Sequence, residues 1–472
     1  MKTVNPVSDF GDPALLQDID RFVRENEDAV VRDIARLVRI PSIEGPAEPD
    51  APYGTESKRA LECALEIARD LGLRTVNCGN RMGYALVGED RGEGYLATIT
   101  HVDVVPAGEG WPADAFTLRE QDGWLLGRGV MDDKGPSVLG LYALKYLQDR
   151  GAALRYPVRA LLGSNEETGM LDLEYYQQQE PDPLFCFSPD ADFPLIYGEK
   201  GIWHGRLVSR HTPLNVLDIT GGVAANAVPA KASARVLAAG LPSCDGVTAA
   251  EQEPGVWTLT AEGVSGHASM PEGTVNAIGL LVDYLLAHDI PAAPERPYFE
   301  LLAKLLRVTD GSLLGLAGED EFFTPLTAVG GKITTLPDGR IVQTVDCRYG
   351  IRISGEGIAQ RLSEAAGGAA EVVTDADSVP FLMNPESPAV RACMESYNQI
   401  TGEDACPFTI GGGTYARHFP HAVAFGPEHP ERPASDFCGP IHGVNEAANR
   451  AWLMEALRIY ILTLLRLEAL EY

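Results

Sequence analysis

No apolar run in the chain approaches the roughly 18 residues that a membrane-spanning helix requires. Its opening, MKTVNPVSDFGDP, has neither the basic nor the apolar region of a secretory leader. A cytoplasmic protein is therefore expected. Paired cysteines are also missing: Cys63, Cys78, Cys186, Cys244, Cys347, Cys393, Cys406 and Cys438 are scattered, with no C-x-x-C and no compact spacing. That argues against a disulfide framework or a thiolate metal site, and predicts small buried hydrophobes. Basic charge is scarce, with 38 Lys and Arg against 67 Asp and Glu and a net charge of -29. No cationic cluster is available to follow a phosphate backbone, so nucleic acid is excluded as a partner. The acidic excess is a solubility device that names no substrate. No internal repeat and no low-complexity tract stands out.

At 472 residues the chain is too long for one simple core and long enough for two domains. Residues 12–39 carry apolar side chains at helical spacing, broken at Pro41, and 56–71 read as a second helix. Strands near 83–88, 94–100, 157–162 and 184–188 alternate with helices at 136–148 and 171–179. This alternation predicts a largely parallel sheet covered by helices. From about 202 the pattern changes to strand-like pieces such as IWHGRLV, LNVLDIT and VWTLTAE, with helices at 274–287 and 356–366. An inserted α+β unit with antiparallel strands is expected there. Beyond 384 the text is again helical at 388–400, followed by a glycine turn at 411–413, the apolar strand AVAFG and a long amphipathic helix over 446–467. This last part is expected to rejoin the first domain.

Two acidic patches end buried strands: HVD at 101–103 follows YLATIT, and SNEETG at 164–169 follows VRALLG. Strand ends are where open α/β sheets place their chemistry. Alternation along a strand points His101 and Asp103 the same way, so one can bind a metal while the other orients it. Glu166 and Glu167 side by side are costly unless a cation stands between them. Taken singly, a His-x-Asp is usually a satisfied pair and a Glu-Glu a solvated helix start. Three further patches weigh against that bland reading: GRGVMDDKGP at 127–136 with Asp132 and Asp133 in a turn, SPDADFP at 188–194 with Asp190, and GPIHGVNE at 439–446 with His442. Two histidines and several carboxylates are the borderline ligands of zinc, manganese or cobalt, and one carboxylate can bridge a pair of ions.

HVDVVP, GRGVMDDKGP, SNEETG, SPDADFP and IHGVNE, in this order, resemble the co-catalytic di-zinc metallopeptidases of the aminoacylase and carboxypeptidase type, in particular the dipeptidase branch of bacterial peptidase V and carnosinase. The resemblance covers nearly the whole chain. It implies a phosphorylase/hydrolase-like α/β catalytic domain formed by 1–201 and 384–472, with a mixed, largely parallel sheet. Between these parts it implies an inserted α+β, ferredoxin-like lid domain at 202–383. It further implies two divalent metal ions, zinc first with manganese or cobalt as substitutes: His101 and Asp190 on one, Glu167 and His442 on the other, and Asp132 bridging. Asp103 would orient His101, a cis peptide would join Asp132 to Asp133, and Glu166 would be the general base acting on a metal-bridging water. Within GVSGHASMPEG, His267 matches the lid histidine that holds the oxyanion. Arg348 and Asn226 match residues that grip the substrate carboxylate, and the loop GGGTYAR, with Gly412, Gly413 and Thr414, matches a substrate loop. The other histidines (His204, His211, His288, His418, His421 and His429) have no comparable context and read as structural or surface residues.

The expected activity is hydrolysis of unblocked dipeptides by a chain able to act as a monomer, with small dipeptides as its partners and no membrane. An N-acyl-amino-acid amidohydrolase uses the same metal chemistry and is the nearest rival. A catalytically silent metal-binding regulator is the more distant one. Glu166, which binds no metal in this scheme, argues against silence.

Overall fold

A computed structural model describes residues 9–89, 91–151, 154–212, 214–318 and 320–472. Residues 1–8, most of the opening stretch read above for a leader, lie outside the described residues. By internal packing the chain divides into two units. The described residues of Met1–Tyr197, Leu382–Phe408 and Gly413–Tyr472 form the first, and those of Gly198–Phe381 with Thr409–Gly412 the second. The loop 411–417, expected to lie wholly in the catalytic part, is thus divided between them.

The first unit is built on a mixed sheet. Its centre is parallel, in the order Val158–Gly163, Leu96–His101, Phe185–Ser188, Ala422–Ala424. Met82–Val87 and Arg74–Cys78 extend one side antiparallel. Every residue of Leu96–His101 and of Val158–Gly163 is buried, which is why these strands read as continuous apolar runs rather than alternating ones. Arg74–Cys78 was not legible in the sequence because it is a half-exposed outer strand with no apolar face. The helix Pro13–Val38 starts with Asp12 accepting the Ala14 amide (2.9 Å) and Pro13 in its first turn, and it buries Leu15, Ile19, Val23, Val30, Ile34, Leu37 and Val38 along one stripe. Lys134–Arg150 and Arg450–Glu468 are buried on most sides and share its core.

The C-terminal helix begins at Arg450, not at 446. Ala447–Asn449 instead pairs antiparallel with Trp124–Leu126, and Asn449 caps the helix by accepting the Ala451 and Trp452 amides. The four residues lost to the helix carry the chain past the site described below. The cysteines also depart from expectation: Cys186, Cys347 and Cys393 are buried, but Cys244 and Cys406 are exposed. No disulfide joins any of the eight, as the spacing implied.

The second unit is an antiparallel sheet in the order Val247–Glu253, Val256–Glu262, Lys231–Leu237, Val216–Gly221, Ile333–Thr335, Ile341–Tyr349, Gly201–Ser209, Ala370–Ser378. Lys231–Leu237 buries Ala232, Ala234 and Val236 and leaves the alternate residues exposed or, at Ser233, half-buried, the alternation of a sheet with one covered face. Ala277–Ala287, Arg296–Leu306 and Gly355–Ala366 supply the covering side chains. Arg296–Leu306 was not anticipated, nor were the outermost strands Val247–Glu253 and Ala370–Ser378, whose polar text hides them.

Ile34→Ala removes a fully buried side chain from the first unit's core. We expect it to cost about 2–5 kcal/mol, seen as a lower denaturant midpoint with an unchanged slope.

Candidate metal centre

His101 ends its strand fully buried. Its Nδ1 lies 3.1 Å from the Asp103 carbonyl oxygen and 3.4 Å from Asp103 Oδ1. Its Nε2 faces Asp132 Oδ1 at 2.9 Å and Asp190 Oδ2 at 3.7 Å. The Asp103 carboxylate meanwhile accepts the Glu166 and Glu167 amides at 3.2 and 3.1 Å, tying the second acidic patch to the first. His442 comes from the opposite side, its Nε2 at 2.8 Å from Asp132 Oδ2 and 3.1 Å from Glu167 Oε2. Asp132 thus stands between two imidazoles, one oxygen toward each. The Asp132–Asp133 peptide is cis. Asp133 accepts the His101 amide at 3.1 Å, so the two adjacent acids are divided between the cluster and its backbone.

Two buried residues inside the quoted motifs, Arg128 and Glu446, escaped notice as functional. Glu446 Oε1 accepts the Met131 and Asp132 amides at 3.1 and 3.3 Å, and its Oε2 pairs with Arg128 Nη1 at 2.6 Å. Arg128 Nη2 donates to the His442 carbonyl at 3.0 Å. This one ion pair fixes both the acidic turn and the His442 loop, where His442 and Asn445 take left-handed backbone conformations with φ of 59°. The available signal was an arginine inside the apolar stretch WLLGRGVM, which requires a buried acid somewhere.

Burial dominates the cluster's electrostatics. It pushes Asp190 up to about 7, with Asp132 adding to the rise, and it holds Glu166 well above the usual carboxylate range, opposed by His101 and assisted by Asp190 and Glu167. Burial also acts against Asp132 and His101, but their mutual contacts win: Asp132 is lowered by His101 and His442, and His101 is raised by Asp103 and Asp132. His442 is raised to about 10 by Asp132 and Glu167. The like charges of these carboxylates thus call for positive counter-charge. A divalent cation fits the same place. Among the described residues, the buried His101 Nε2 and Glu167 Oε1 have close neighbours but no aligned hydrogen bond. Donor atoms of His101, Asp132 and Glu167 converge, as do those of His101, Glu166 and Asp190, each set within 4.8 Å. Imidazole plus carboxylate suits zinc, manganese or cobalt.

The remaining predicted residues divide between the units. In the second, Ala227 pairs with His267, which sets Asn226 beside the exposed His267. His267 Nδ1 accepts the Ser269 amide (3.2 Å) and lies 2.7 Å from Ser269 Oγ. An Nδ1 acting as acceptor leaves the proton of the neutral ring on Nε2. Arg348 is buried and forked by Asp346, through Nε at 2.8 Å and Nη2 at 3.0 Å, while Nη1 donates to the Gly411 carbonyl at 3.2 Å. His204 braces the same Asp346 at 2.7 Å. Gly412 belongs to this unit, Gly413 and Thr414 to the first, where Thr414 Oγ1 accepts the Ala416 amide at 3.1 Å.

An α/β unit with a parallel centre, acids and imidazoles converging beyond its strand ends, and an adjacent carboxylate of raised proton affinity together have the make-up of a metal-dependent hydrolase. The chain belongs to peptidase family M20/M25/M40, whose sequence model matches residues 97–466. It is similar to YtjP of Bacillus subtilis (32% identity, covering 88% of this chain and 92% of that protein). It is also similar to the Beta-Ala-Xaa dipeptidase of Lactobacillus delbrueckii subsp. lactis (29%, covering 92% and 94%). Human carnosine dipeptidase 1 shares the fold, with a TM-score of 0.60 at 17% identity over 97% of this chain and 100% of that one. No helix among the described residues is long and apolar enough to cross a membrane.

Two outcomes follow. Glu446→Ala strands the buried Arg128 and should cost about 3–5 kcal/mol, with loss of bound metal. Glu446→Gln keeps an acceptor for the turn and should retain more of both, as measured by thermal unfolding and metal analysis. Second, if His101 and His442 take up metal, uptake must displace protons, because ligating imidazoles are neutral whereas both are raised above their ordinary value. Apparent metal affinity should therefore climb as pH rises from the ordinary imidazole range toward about 10. Titration calorimetry in two buffers of different ionisation enthalpy should report proton release at pH 7.

Proposed function

We propose that the protein is a cytoplasmic metal-dependent dipeptidase, working on unblocked dipeptides with two zinc ions, or manganese or cobalt in their place. The observation that carries this reading is Asp132, whose two carboxylate oxygens face His101 and His442 from opposite sides at 2.9 and 2.8 Å. On this reading His101 and Asp190 would hold one ion, Glu167 and His442 the other, and Asp132 would serve both. Ions so held supply Lewis acidity and lower the pKa of water. Asp103 keeps the His101 ring oriented and, through the 166 and 167 amides, sets where Glu166 stands.

Glu166 takes a proton from the attacking water as oxygen bonds to the peptide carbonyl carbon. It returns that proton to the amide nitrogen as the C–N bond breaks, leaving two amino acids. A carboxylate made more basic by burial is suited to both transfers. We assign catalysis to the first unit and the role of a lid to the second. His267, with its proton on Nε2, is the oxyanion donor. Arg348, Asn226 and the loop of Gly412, Gly413 and Thr414 are the carboxylate grip. The likeness to a Beta-Ala-Xaa dipeptidase supports this substrate class.

A dipeptide panel on metal-reconstituted protein tests the reading. Free dipeptides should be cleaved, C-terminally amidated ones far more slowly, and chelation should abolish turnover. Cleavage of N-acetyl amino acids but not of dipeptides would replace it with the amidohydrolase reading. Glu166→Gln should lower turnover by roughly 10²-fold or more with metal retained, whereas Glu167→Gln should lose metal. Equal metal loss in both variants would refute this division of labour.

A further inference from the structure

We propose that Asp172 and Tyr415 are positioning residues for Glu166, acting together as a strut that locks the turn at 164–167. The inference rests on the reading of Glu166 as the general base. Asp172 is fully buried near the start of the helix Leu171–Gln177. Its Oδ2 accepts the Ser164 amide at 2.6 Å, the Asn165 amide at 3.0 Å and the Tyr415 hydroxyl at 2.6 Å, while Oδ1 accepts the Leu173 amide at 2.8 Å. Asp103 accepts the next two amides, of Glu166 and Glu167. Four successive backbone N–H groups therefore end on just two carboxylates, one beside the metal ligands and one behind the turn.

The turn is closed on its far side by Asn165, whose carbonyl accepts the Met170 amide at 2.7 Å and whose Oδ1 accepts the Leu171 amide at 3.2 Å. Space is reserved for the strut. A Cβ on Gly163 would fall 2.1 Å from the Tyr415 hydroxyl and 2.7 Å from Asp172 Oδ2, so only glycine fits where the strand meets the turn. Tyr415 is itself fully buried, and its ring stands edge-on to the His101 ring with centroids 6.4 Å apart. The hydrogen-bonded partners of the Asp172 carboxylate are amides and one phenol, an arrangement that directs backbone rather than neutralising charge.

The strut should act on turnover and not on binding, because a base displaced by about an ångström loses roughly 10²-fold in rate. Tyr415→Phe removes only the hydroxyl. Its kcat should fall about tenfold or more, with KM within about twofold and metal content unchanged. In metal-free protein, hydrogen exchange of a peptide covering 161–171 should accelerate about tenfold at the Ser164 and Asn165 amides. Asp172→Asn, which keeps one acceptor, should retain more kcat than Asp172→Ala. Wild-type kcat in Tyr415→Phe, with or without faster exchange, would overturn the positioning role, and so would a loss of rate that simply follows a loss of metal. If the wild type cleaved no dipeptide, the functional reading would fall by itself. The kcat comparison would then be made on the acylated substrate, and unchanged exchange at 164–165 would still sink the strut.

Discussion

Like charges held close together out of water are the constraint around which the first unit is organised. Asp132, Glu166, Glu167 and Asp190 crowd around His101 and His442 with Asp133 beside them, Asp132 and Asp133 buried and the other three half-buried. Two carboxylates about 4 Å apart near a protein surface repel by roughly 4 kcal/mol, so neither hydrophobic packing nor helix propensity would leave them there. Three devices answer the repulsion: shared protons between acid and imidazole, backbone amides aimed at Asp103 and Asp133, and the Arg128–Glu446 pair beneath the acidic turn. A cation bound there would supply the same counter-charge.

Such a cluster can exist only on a rigid floor, which the parallel strands provide. His101 pairs with Gly163 in register, so the strands release the chain at one level, and the acids that follow them meet. The core of this unit is built on the helices Lys134–Arg150 and Arg450–Glu468, buried on most sides, which could not shift without opening cavities.

The strand ends were legible because a parallel strand covered on both faces leaves an unbroken apolar run with its chemistry directly after it, as in YLATIT before His101. The residues of the cluster were legible because each is a polar group in such a position. Arg128, Glu446 and Asp172 were not, since they hold backbone, and a side chain that holds backbone has no fixed spacing from what it holds; nor was Tyr415, which holds Asp172. Glu446 was misread for a further reason: the residues after it have good helix propensity, and only pairing with Trp124–Leu126 keeps them extended. Half-exposed strands such as Arg74–Cys78 carry too little apolar text to declare themselves.

Arg128 and the His442 carbonyl it holds are 314 positions apart in the chain, with the whole second unit between them. A chain emerging from the ribosome therefore carries His101, Asp132, Glu167 and Asp190 long before His442 exists to complete them. Closing so long a loop costs entropy that only the finished sheet and core repay. The cluster around Asp132 is whole only once the polypeptide has come full circle.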